Sequence, residues 1–126
     1  MTLKCDIGVR IKQAYDKKDN DALKNIAEKD LPETLRRLEV FHKAFKNQWF
    51  AENKAFGFEV QDIRIGGLME RVKTAIERIN DYINKNIEAI EELEEERLFF
   101  DGRSSAVNGK GMAVYNWDMM CTANVL

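Results

Sequence analysis

The chain has 126 residues, long enough for one domain with a substantial core. Its 20 basic and 22 acidic residues leave a net charge of −2 with the signs interspersed, without the clustered basic face that nucleic acid selects. Two cysteines, Cys5 and Cys121, are too few for a secreted disulfide scaffold and read as free thiols of a reducing, cytoplasmic compartment, and no apolar run approaches the roughly 18 residues of a membrane span.

Residues 3–17 place Leu3, Ile7, Ile11 and Ala14/Tyr15 on one side of a helix. The same stretch, MTLKCDIGVRIKQAYDKKD, is too interrupted by charge to hold a signal peptide's apolar core. KKDND ends it, and Asn20 or Asp21 is placed to cap a second short helix carrying Ala22, Leu23, Ile26 and Ala27. In DLPE, Asp30 predicts an N-cap, Pro32 suits a first turn, and Glu33 completes a capping box. Leu35, Leu38, Phe41, Phe45 and Trp49 then recur at spacings of three and four, predicting one helix from about 32 to 54. WFAENKAFGFEVQDIRIGGL reads as a connector. A second long helix is expected to begin near Gly67, with Leu68, Val72, Ala75/Ile76, Ile79, Ile83, Ile87, Ile90 and Leu93 as its seam, and to run to about Leu98. DGRSSAVNGKG reads as a loop. MAVYNWDMMCTANVL, with Tyr115, Trp117, Met119 and Met120, is apolar enough to need covering by the bundle or by something else.

Two long helices joined by a short connector run antiparallel and bury their stripes together. The expectation is therefore an all-α antiparallel helical bundle in a single helical domain, 1–126. It has two long helices, two short N-terminal helices and an irregular Gly-rich C-terminal tail.

The candidate chemistry is thin. EVFH, Glu39 to His42, is half of a di-iron carboxylate pattern, but His42 is the only histidine and cannot supply the second half within one subunit. GKG at 109–111 lacks the spacing and the following Ser or Thr of a phosphate loop. IEAIEELEEER follows no calcium-loop spacing and reads as a solvated helix face, its acids near a helix C-terminus opposing the macrodipole. Ser104 and Ser105 have no histidine nearby in sequence to act as a base.

The connector is richer than a turn requires. Gly57 suits a left-handed helix stop, Phe56 and Phe58 can plug the open end of the bundle, and Asp62 or Glu59 can accept from free backbone N–H groups. Arg64 can pair with either acid. Gly66 and Gly67 each cost a helix about 1 kcal/mol against alanine, which points to a neighbouring backbone passing too close for a Cβ. The stretch is read as a contact surface for another domain or subunit.

WFAENKAFGFEVQDIRIGGLMER, together with ERINDYINKNIEAIEELEEE and the closing NWDMMCTANVL, resembles the C-terminal helical domain of family 20 glycoside hydrolases, in the bacterial exo-β-N-acetylhexosaminidase branch. The resemblance covers roughly residues 30–126 and is most specific from Trp49 to Arg71. It implies a catalytic (β/α)₈ barrel that removes terminal N-acetylhexosamines, on which the helical domain packs while taking part in a dimer. It also implies substrate-assisted catalysis, in which an adjacent Asp-Glu pair on the barrel orients the sugar's acetamido group and protonates the leaving oxygen.

No adjacent Asp-Glu occurs in the 126 residues, so no catalytic residue transfers and the chain alone is expected to be inactive. No cofactor and no metal are expected. The implied partners are the chain's own barrel and a second copy, with neither nucleic acid nor membrane. Asn53, Lys54, Asp62, Arg64, Gly66, Gly67 and Trp117 are the candidates for the interface or for the rim of an active site. A free-standing helical adaptor is the competing reading, and a dimer-built metal site around His42 is a third.

Overall fold

The structure, a computed structural model, describes residues 6–95. Leu3, both cysteines, the 101–111 loop and the tail bearing Trp117 lie outside them. Four helices, α1 (Ile7–Asp16), α2 (Asn20–Asn25), α3 (Leu31–Glu52) and α4 (Phe58–Ile83), precede a single helical turn, α5 (Glu91–Glu94). No strand occurs among the described residues. The expected all-α bundle forms, with α3 and α4 as its long antiparallel pair.

α1 stops in a six-residue turn. Lys18 takes the left-handed conformation (φ 53°), its N–H donates to the Tyr15 carbonyl, and the Asp19 N–H reaches back to Ala14, each at 2.9 Å. Those bonds satisfy the free carbonyls of the last turn. The same turn presents Asp19, rather than Asn20 or Asp21, to cap α2, accepting from the Ala22 N–H at 2.9 Å.

The expected break at DLPE is absent. α2 runs through a π turn, Ile26–Asp30, straight into α3, a rod from residue 20 to 52 of about 50 Å. Asp30 is helical (φ −70°, ψ −44°) and caps nothing, so the capping box does not form. Pro32 supplies the reason: it has no N–H, and its ring crowds the carbonyl four residues back. A widened turn, in which the Leu31 N–H reaches Ile26, relieves the crowding without ending the helix. The Thr34 hydroxyl donates to the Asp30 carbonyl at 2.7 Å. Asp30 instead pairs with Arg10 of α1, and Glu33 grips Arg36 (2.7 and 2.8 Å) and Arg37 (2.6 Å).

Both ends of α4 lie earlier than the sequence predicts. It begins at Phe58 instead of near Gly67, so the connector is only residues 53–57. It ends at Ile83 rather than Leu98, in a second six-residue turn. There Lys85 is left-handed (φ 60°), its N–H donates to Tyr82 (3.1 Å), and the Asn86 N–H donates to Asp81 (2.8 Å). The acids beyond it therefore lie past the C-terminus of α4. Glu91, Glu92 and Glu94 sit in the first turn of α5, where free N–H groups favour negative charge.

The core gathers at one end. Ala14, Tyr15, Leu23, Ile26, Ala27, Leu31, Ile79 and Ile90 are buried together, with Ile7, Ile11, Val72, Ile76, Ile83 and Leu93 packed around them. Leu23 is wholly excluded from solvent, worth about 1.5–3 kcal/mol for such a side chain. The seam predicted past residue 83 does join this core, but from a strap that folds back. Tyr15 fastens it: its hydroxyl donates to Glu94 at 2.7 Å and accepts from the Ile90 N–H at 3.2 Å.

Candidate functional site

The opposite end, the α3–α4 hairpin tip, is built differently. Phe58 at the start of α4 is buried, with the rings of Phe50, Trp49, Phe45 and His42 between 5.3 and 5.9 Å from its own. One side chain plugs the hairpin, as expected of Phe58. The other expected plug, Phe56, points away and is 88% exposed. Gly57 is left-handed (φ 99°), as a chain reversal between two helices requires. Its Cα faces the Trp49 ring, and the Trp49 indole donates to the Lys54 carbonyl at 2.9 Å, closing the turn.

The charged candidates divide. Glu59, not Asp62, meets the helix start, accepting from the Gly57 N–H at 2.8 Å. Asp62 pairs across the hairpin with His42 Nε2 at 2.6 Å. Arg64 forms no ion pair among the described residues, because positions 62 and 64 lie on opposite sides of a helix. Asn53 and Lys54 are exposed on the connector. Gly66 and Gly67 lie within α4, half-buried, and a Cβ on either would meet nothing within 4 Å. Among the described residues no backbone presses on either glycine.

Sequence reasoning missed two residues. Phe58, Ile65, Val72 and Ile79 recur at intervals of seven along the inward face of α4, and that repeat could have shown that the helix starts before the glycines. On the opposite face lie Val60 and Ile63, 43% and 74% exposed. Their spacing of three, followed by four to Gly67, is the signal that marks a second apolar stripe.

Among the described residues no reaction centre is assembled. The Thr34 and Thr74 hydroxyls donate to backbone carbonyls, and His42 is held by Asp62. Among the described residues no group of three His, Cys, Asp or Glu side chains converges as a metal site, and Glu39 is exposed. An open hollow of about 380 Å³ at the base is lined by Lys12, Tyr15, Tyr82, Leu93 and Glu94 among others, and its Tyr15 hydroxyl is taken up by Glu94 and the Ile90 N–H. No described helix is long and apolar enough to cross a membrane.

The family described as Glycoside Hydrolase 20C C-terminal domain matches residues 1–112. The match includes the first 30 residues, which the resemblance does not cover, and stops short of Trp117. A search of curated proteins found no match.

Proposed function

This chain belongs to the Glycoside Hydrolase 20C C-terminal domain family, and on that premise we propose that it braces the catalytic barrel of a β-N-acetylhexosaminidase and joins two subunits, supplying no catalytic residue. The observation that carries the reading is apolar surface left open on a hairpin whose other end is well packed. Phe56 and Phe50 are 88% and 53% exposed at the hairpin tip, and Ile63 and Val60 are 74% and 43% exposed on the outer face of α4. Large apolar side chains left open in this number mark an interaction site.

The double glycine supports the same reading. Two glycines inside a helix cost about 1 kcal/mol each against alanine, and no described part of the chain uses the room they leave. A docked neighbour would use it. Asn53, Lys54, Asp62 and Arg64 border that surface and supply its polar rim.

The test mixes the 126-residue chain with a separately produced barrel. Co-elution and a raised melting temperature of the barrel are expected, with hydrolysis of a chromogenic N-acetylglucosaminide only where barrel is present. Failure to bind the barrel, or hydrolysis by the chain alone, overturns the proposal.

A further inference from the structure

We infer that the outward face of α4 pairs in parallel with the same face of a second copy, Glu59 of each copy meeting the partner's Arg64. The inference rests on the dimer half of the proposed function and names its surface and orientation. Val60, Ile63 and Gly67, spaced three and four apart, form a short apolar seam opposite the row Phe58, Ile65, Val72 that packs inward. A glycine in such a seam lets two helices approach closely, and the Cβ of Gly67 would meet nothing in its own chain.

Charge fixes both occupant and direction. At 100° per residue, Glu59, Glu70 and Glu77 fall along one edge of the seam, Arg64 and Arg71 along the other, and all five are exposed. Two parallel copies related by a two-fold axis set the acidic edge of each against the basic edge of the other. Antiparallel copies would set acid against acid. Glu70 already holds Lys73 at 3.0 Å, and Arg71 lies close enough to Glu92 to help lower its pKa. That leaves Glu59 and Arg64, whose separation of five residues is the offset that brings opposing edge residues together in a parallel two-stranded coil. Glu59 keeps one oxygen beyond its bond to Gly57, and Arg64 has no partner among the described residues. The seam spans barely two turns before Glu70 interrupts it, so the pairing belongs to the weak, reversible class.

Sedimentation of the 126-residue chain over a concentration series tests the inference. A monomer–dimer equilibrium is expected. Glu59→Arg and Arg64→Glu should each weaken it about tenfold, and the double exchange should restore it. In a Cys5→Ser, Cys121→Ser background, Ile63→Cys should form an interchain disulfide on mild oxidation, since equivalent seam positions face each other across a parallel axis. Glu59, Ile63 and Arg64 are exposed, and circular dichroism checks that the helices persist in every variant. A chain that stays monomeric, a double exchange without rescue, or no Ile63→Cys cross-link overturns the pairing. Barrel binding by Glu59→Arg is measured apart and should be unchanged, so loss of the dimer and loss of the bracing role are told apart.

Discussion

Lys18 and Lys85 both occupy left-handed backbone that stops a helix, a conformation costing a residue with a Cβ about 1–2 kcal/mol. Glycine there relieves the strain but gains freedom in the unfolded chain. Lys18→Gly and Lys85→Gly are therefore each expected to stabilise the fold by about 0.5–1 kcal/mol in chemical denaturation. Tyr15 works the other way. Removing its hydroxyl in Tyr15→Phe strands the buried Ile90 N–H and releases the exposed Glu94 carboxylate to water, and should cost about 1–3 kcal/mol. Burial, then the bond to Glu94, holds that phenol above its ordinary 10.0. The unfolded chain thus releases the proton first as pH rises, so the phenol's contribution is full below pH 10 and declines above it in pH-dependent melts. Glu33 has the opposite sign. Hydrogen bonds from Arg36 and Arg37 lower its carboxyl from 4.5 to about 2. What it adds is complete above pH 4.5 and vanishes as pH falls through about 2. Carboxyl NMR titration should find that low midpoint, and Arg36→Ala should raise it.

At the level of elements, the inward stripes of α1 and α2 were legible because each repeats at helical spacing, and that of α3 was legible except at Phe41, which is 47% exposed. The ends of α4 were not. Gly66-Gly67 suggested a boundary, yet a 26-residue helix held at its base by Val72, Ile76 and Ile79 tolerates about 2 kcal/mol of unfavourable propensity. At the other end, Asn84-Lys85-Asn86 contains neither glycine nor proline, and the apolar period continues through it, because Ile87, Ile90 and Leu93 return to the same core from a different element. Periodicity reports which residues are buried, not whether the chain between them is unbroken. The two glycines also separate intrinsic from acquired stability. Gly66→Ala and Gly67→Ala should each stabilise the 126-residue chain by about 1 kcal/mol in thermal unfolding while weakening its association with barrel or second copy. A loss of stability would mean that the room beside them is already filled.

For the molecule as a whole, the fold could be read from composition and period, but the contact surface only partly. Gly57, Phe58, Glu59 and the two glycines drew notice by their residue types. Val60 and Ile63 did not, since an apolar residue facing outward looks like any other until the inward face is known. The unequal distribution of packing along the hairpin has one more consequence. Leu23, Ile26, Leu31 and Ile79 hold the base shut, whereas at the tip only Phe58 is sealed. Amide protons near residues 45–65 should therefore exchange with deuterium long before those near 23–31 and 72–82, and a protease meeting the unoccupied protein should cut first at the aromatic end. Occupation of the tip by a neighbour would then act like a clasp, slowing both reactions at a distance from the residues that make the fold.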